Sequence, residues 1–197
     1  MRYVLAAIGF IVGFVLLVVL IVTLRPSTTN TSQTKTASPK LADVASSNAT
    51  TRLVTAGPIN ALENHREIRI TINNSSRTVN VLDGYQGNIL AQETFTNTTE
   101  AYQAFLAALD RSGFTIVKKS IYDTPAGLCP LGNRYTYELY DTPSNSPYKS
   151  FSHWSVSCSS IATFGGNGAT TRTLFQAQIP NYQTFINGVP GASSLGS

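Results

Sequence analysis

Glu67-Ile-Arg-Ile-Thr-Ile72, then Asn73-Asn-Ser-Ser76, then Thr78-Val-Asn-Val81: this stretch decides the fold. Ile68, Ile70 and Ile72 occupy alternate positions, as do Val79 and Val81, and polar residues stand between them. Successive side chains of a strand point to opposite faces, so this alternation reads as two half-buried strands. The residues between them are turn formers, and the pair reads as an antiparallel hairpin.

Working outward, Asp83-Gly84 is a second turn signal and Ile89 to Thr96 a third strand, which makes a meander. Thr51 to Gly57 opens the folded part, and Ile59 to Glu63 suits one helical turn. Asn97 to Gly113 is the clearest helix downstream. Asn97 is placed to cap it with Glu100 at the third position, Tyr102, Phe105, Leu106 and Leu109 share a face, and Gly113 supplies the stop. One amphipathic face implies one sheet to cover.

Phe114 to Lys118 is expected to return to the sheet. Arg134 to Asp141 alternates with Tyr135, Tyr137 and Leu139 on one face, and Ser150 to Cys158 carries Trp154, Val156 and Cys158 on one face. The turn-rich Asp141 to Pro147 joins these two strands. Ala169 to Gln178 is a second candidate helix, stopped by Pro180, and Asn181 is placed to cap a last turn through Phe185. The expected fold class is α+β: an antiparallel sheet of about five or six strands with one packed amphipathic helix and a disulfide-closed hairpin.

Cys129 and Cys158 are the only cysteines, and neither belongs to a C-x-x-C pair or has histidines at finger-like spacing. A single disulfide is the simplest reading, with two buried thiols as the alternative. The two cysteines are equidistant from the tip of the last hairpin, so a bond between them closes its base. Such a bond requires an oxidising compartment.

The chain begins with a different signal. Val4 to Leu24 has no charge and no proline, and as a helix it is about 31 Å long, the thickness of the hydrocarbon layer of a bilayer. Its apolar core is longer than that of a cleavable signal peptide, and Arg25-Pro26 follows it directly, so it reads as an uncleaved anchor. Gly9 and Gly13 have helix-pairing spacing, a weak signal for self-association. Flanking positive charges do not settle orientation. The cysteine pair, the hydroxyl-rich stretch after the anchor and the low charge, 12% of residues, favour a cytoplasmic N-terminus and an extracytoplasmic domain. The expected organisation is an anchor at 1–25, a Ser/Thr-rich linker at 26–50, a domain at 51–189 and a flexible tail at 190–197.

A net charge of +4 spread over scattered basic residues gives no footprint for nucleic acid. Asn-x-Ser/Thr triplets at Asn30, Asn48, Asn73, Asn74 and Asn97 are what chance supplies in a chain this rich in Ser and Thr. The Gly-rich Phe164 to Gly168 lacks the Lys-Ser/Thr of a phosphate loop. Catalytic chemistry finds little: His65 and His153 belong to no metalloprotease motif, no G-x-S-x-G occurs, and the glutamates are dispersed. No catalytic residue, metal site or cofactor is assigned. Aromatic residues concentrate in the second half, and Tyr140, Tyr148, Phe151 and His153 are the candidate binding surface. The leading expectation is a membrane-anchored binding module for a protein or glycan; a cell-envelope hydrolase using Glu and His residues is the alternative.

Gly84-Tyr-Gln-Gly87, Ala101-Tyr102 with Phe105-Leu106, Trp154-Ser-Val-Ser-Cys158 and Leu174-Phe-Gln-Ala-Gln-Ile-Pro180 resemble the sequences of single-pass, surface-facing proteins of candidate-phylum bacteria. That resemblance spans Thr51 to Val189 and implies a location without an activity. The order of strands, helix and closed hairpin is also similar to subtilisin-inhibitor-like modules, which implies a small inhibitor-like surface protein; those modules have more cysteines than this chain. Protease treatment of intact cells is expected to remove the Cys129–Cys158 region while leaving Met1 to Leu24 in the membrane fraction. Protection of the region until the cells are lysed would reverse the orientation.

Overall fold

The computed structural model describes residues 40–146 and 148–196. Val4 to Leu24, with Gly9 and Gly13, lies outside the described residues, as does most of the expected linker. Among the described residues no helix is long and apolar enough to cross a membrane.

Six strands form one sheet: β1 (Thr50–Ala56), β2 (Arg66–Ile72), β3 (Ser76–Asp83), β4 (Asn88–Thr96), β5 (Arg134–Tyr140) and β6 (Phe151–Val156). Their spatial order is β4-β3-β2-β1-β5-β6, and every neighbouring pair is antiparallel. The first four strands are a meander, and the β5–β6 hairpin is added along the free edge of β1. At the first turn Asn73 Oδ1 accepts the backbone N–H groups of Ser75 and Ser76 at 2.9 and 2.8 Å, fixing the β2–β3 register. Tyr137, Leu53, Ile70 and Val79 then stand in one row across four strands. They are fully or almost fully buried.

Three α-helices are described: α1 (Thr99–Arg111), α2 (Gly168–Gln176) and α3 (Tyr182–Asn187). Tyr102, Phe105, Leu106 and Leu109 of α1 are buried in the main core, as the spacing predicts. The cap is Thr98, whose Oγ1 accepts from Ala101 N at 3.2 Å. Asn97, the expected cap, instead donates from Nδ2 to the Asn73 carbonyl, tying the helix start to the β2–β3 turn. Gly113 ends the helix at φ 81°, where a residue with a Cβ is strained. Asn167 caps α2 by accepting from Thr170 N at 3.0 Å. Asn181 takes a left-handed conformation, φ 53°, and its side chain makes no cap, so the expected role there is not the observed one.

Other expectations need correction. Phe114 to Lys118 does not join the sheet: only a bridge between Val117 and Phe164 forms. Phe114 enters the core while Ile116 and Val117 stay exposed, because the edge of β6 is already occupied by the bridge from Ser155 to Ala162. The linker does not extend to residue 50. Leu41–Val44 forms a 3₁₀ turn, Leu41, Val44, Ala45 and Ala49 are buried, and Tyr102 Oη donates to the Ala49 carbonyl at 2.9 Å. The cluster Leu41-Ala-Asp-Val-Ala45 holds enough apolar surface to offset its ordering. The tail from 190 is likewise fixed through Gly196. Ala192 and Leu195 are buried, and Gln183 Nε2 donates to the Gly196 carbonyl at 2.9 Å.

The expectation of a single packed helix is therefore too low, since Phe175 of α2 and Tyr182 and Ile186 of α3 also enter the main core. Phe105 meets Phe175 edge-on at 5.1 Å, which locks α1 to α2 over the sheet. Replacing Leu41 by Ala is expected to lower stability by about 2 to 5 kcal/mol. Urea unfolding followed by Trp154 fluorescence measures this; a change near zero would return residues 40–50 to the linker.

Candidate functional site

The alternation that buries one face of the sheet places a different set of residues on the other. That second face carries Arg52, Val54 and Ala56 from β1, Glu67, Arg69 and Thr71 from β2, and Arg134, Thr136 and Glu138 from β5. Arg52 pairs with Glu138 directly opposite it on β5, and Arg69 Nη2 pairs with Glu67 Oε1 at 2.8 Å. Arg52 also lies over the Tyr140 ring, 5.0 Å from its centre.

A disulfide links Cys129 and Cys158, with Cα atoms 5.7 Å apart, so the expected pairing is present. The loop that carries Cys129 folds onto β6, where Cys129, Trp154 and Val156 form a small second core with Leu128 packed against it. Trp154 Nε1 donates to the Asp123 carbonyl at 3.1 Å, and Ile59 N donates to the Pro130 carbonyl at 2.7 Å. Gly132 passes so close to this bond that a Cβ there would collide with Cys129 Sγ and Ser157 Oγ. The loop thus stands as a fixed wall at one end of the second face.

Between that wall and the β3–β4 turn lies a cleft of about 410 Å³. Ala56, Glu67, Arg69 and Arg134 belong to the strands beneath it; Ile59, His65, the Gly84 to Gly87 turn, Ala126 and Gly127 complete the lining. His65 is 3% exposed, stacks on Tyr85 at 4.0 Å between ring centres, and has Nδ1 3.0 Å from the Pro58 carbonyl. Because a carbonyl only accepts, Nδ1 carries the proton in that contact. Tyr85 Oη donates to the Asn60 carbonyl at 2.9 Å and accepts from Asn60 N at 3.1 Å. The aromatic pair therefore clamps residues 58–60 and makes a rigid side to the cleft.

Arg134 is the distinctive group. It is 7% exposed, its Nη2 donates to the Gly57 carbonyl, and its Nη1 has no hydrogen-bond partner among the described residues. Arg69 Nε is likewise buried without a partner. Burial pulls the Arg134 guanidinium below its ordinary pKa. Arginine nevertheless keeps its proton in proteins, so the cleft holds a buried cation. Glu67, the acid in the lining, is already paired with Arg69.

The sequence-predicted surface is not brought together. Tyr140 lies on the second face under Arg52, whereas Tyr148 and Phe151 pack against the main core and His153 stacks on Phe151 at 4.6 Å. His153 faces Tyr137 in register and is half-buried at the sheet edge. Sequence reasoning passed over Arg134, Tyr85 and His65 as a group, since nothing local links residues twenty to seventy positions apart. The one sequence signal was an arginine at the start of a strand, on the face opposite to Tyr135, Tyr137 and Leu139. Among the described residues no cluster of three or more His, Cys, Asp or Glu side chains is placed to hold a metal ion. No family model and no curated protein matches this chain.

Two outcomes follow from this geometry. Replacing Cys129 and Cys158 together by Ser is expected to cost about 3 to 4 kcal/mol on the chain-entropy account, read from urea midpoints. An unchanged midpoint would mean that the loop is held by packing alone. Burial also holds His153 below its ordinary pKa of 6.5. As the pH falls, the unfolded chain takes up that proton first, so the contribution is complete above about pH 6.5 and is lost as the pH falls through the folded value. His153→Gln is expected to remove this part of the acid destabilisation, measured as the difference between urea midpoints at about pH 7.5 and pH 5.

Proposed function

We propose that this protein is a recognition module, anchored by Val4 to Leu24 and presenting its folded domain outside the membrane to a protein or glycan partner. The observation that carries this reading is the cleft on the second face of the sheet, with Arg134 buried beside it and short of a hydrogen-bond partner. Binding sites combine a concave, partly apolar lining with a few fixed polar groups, and this cleft has both. Its walls are pre-organised by the disulfide loop on one side and the His65–Tyr85 stack on the other. Pre-organisation reduces the ordering cost of binding.

The hydrolase reading has one point in its favour: His65 and Glu67 line the same cleft. Both are engaged, however. Glu67 Oε1 is ion-paired with Arg69, and the His65 ring is held by Tyr85 and Pro58. A general base has to be within hydrogen-bond reach of the proton it takes, so these commitments favour recognition over proton transfer.

A photo-crosslinking residue placed at Ala126, on the exposed rim, is expected to capture a partner on intact cells. The same residue at Glu100 on α1 is expected to capture none. Equal capture from both positions, or none from Ala126, would remove the cleft from the account.

A further inference from the structure

Going beyond the recognition reading, we infer that two copies of this chain pair through the open edge of β4, antiparallel and in register about Gln92, so that their six-stranded sheets join edge to edge.

β4 stands at one end of the strand order, so one of its edges has no neighbour in the sheet. Asn97 N donates to the Ser75 carbonyl at 2.8 Å, and Ser76 faces Thr96 one step further in. Hydrogen-bonded pairs alternate with non-bonded ones along an antiparallel ladder. Ala91, Glu93 and Phe95 therefore turn their backbone groups toward β3, and Gln92 and Thr94 turn theirs outward. Among the described residues no loop or side chain takes up these outward groups. Helix α3 does not cover them, because a cleft of about 620 Å³, lined by Glu93, Phe95, Thr184 and Phe185, lies between it and the strand. Natural proteins ordinarily blunt such an edge with Lys, Pro or a very short strand. β4 runs for nine residues, has Glu93 as its only charge and has no proline.

Charge and hydrogen bonding select both the occupant and the register. A two-fold axis at Gln92 sets Gln92 against Gln92 of the second copy, where their outward backbone groups exchange hydrogen bonds, and sets Glu93 against Ala91 of the second copy. Moving the axis to Glu93 opposes two carboxylates, which destabilises a cross-strand pair. Moving it to Thr94 calls on Thr96, whose carbonyl already accepts from Arg77 Nε and Nη2 at 3.2 and 3.0 Å. Moving it toward Leu90 meets the irregularity opposite Val81 and Leu82. The strand is thus complementary to itself in one register, and pairing of this two-fold kind closes as a dimer. Copies held on one membrane by Val4 to Leu24 meet at raised effective concentration.

The experiment uses the full-length chain in liposomes at high lipid dilution. Gln92→Cys, oxidised with copper phenanthroline, is expected to give a dimer on a non-reducing gel, with the 92-to-92 linkage identified by mass spectrometry. In this register the two Gln92 Cα atoms are about 5.5 Å apart, within disulfide reach. The two Thr94 Cα atoms are about 14 Å apart along the strands, so Thr94→Cys is expected to give no such bond. Gln92→Pro removes an outward N–H, which an edge strand tolerates, and is expected to weaken association at least about fivefold, counted by single-molecule photobleaching. If Gln92→Pro fails to fold by circular dichroism, the comparison of the two cysteine variants decides alone. No 92-to-92 bond, equal or greater crosslinking at Thr94, or a dimer that survives Gln92→Pro unchanged overturns the inference; the last outcome assigns association to the anchor.

Discussion

Strand β1 is hydrogen-bonded along both edges, and the structure depends on that double pairing. Its residues Thr51 to Ala56 face β2, and Thr50 to Ala56 face β5, so almost every residue of the strand has a partner on each side. Without β5 the meander would end on a naked edge, with its backbone donors and acceptors exposed. With β5 in place, the hairpin that follows is carried into the same sheet and Tyr137 completes the row begun by Leu53 and Ile70. The helices then close one face, and Phe114, Phe105 and Phe175 fill the space between.

The same pairing places Arg134. As the first residue of β5 it stands opposite Ala56, the last of β1, and Ala56 stands opposite Glu67 on β2. A small residue thus separates a cation from an acid along a row of the second face. Had Glu67 been free, it would have been the natural counter-charge; its pairing with Arg69 leaves Arg134 to the Gly57 carbonyl and the cleft.

The disulfide is usually credited with stability, and here it also shapes a surface. By holding the Cys129 loop against Trp154 and Val156 it covers one end of a face that the helices leave open. The opposite wall depends on no covalent bond. It is held by a buried imidazole stacked on a tyrosine whose hydroxyl grips a loop backbone. Rigid walls of two different origins around one buried charge are what separate this cleft from an incidental groove between loops.

Much of the fold was legible in the sequence because its signals are local. The alternation of Ile68, Ile70 and Ile72, the turn at Asn73 and the face of Tyr102, Phe105, Leu106 and Leu109 report periods that a strand or helix imposes by itself. A lone cysteine pair flanking a hairpin made the disulfide legible too. Other features turned on competition between distant groups. Asn97 lost its capping role to Thr98 because the Asn73 carbonyl claimed it, and Phe114 to Lys118 has no place in the sheet because Ala162 occupies the edge of β6. The short apolar cluster at Leu41 and the Ala192 to Leu195 segment looked too weak to order themselves, and only the packed core gives them somewhere to go. The cleft belongs wholly to this second kind. Sequence by itself determined which residues alternate, turn and pair. Only tertiary structure decided that His65, Tyr85, Glu67 and Arg134 line one cavity, because strand order and not chain order sets which side chains are neighbours.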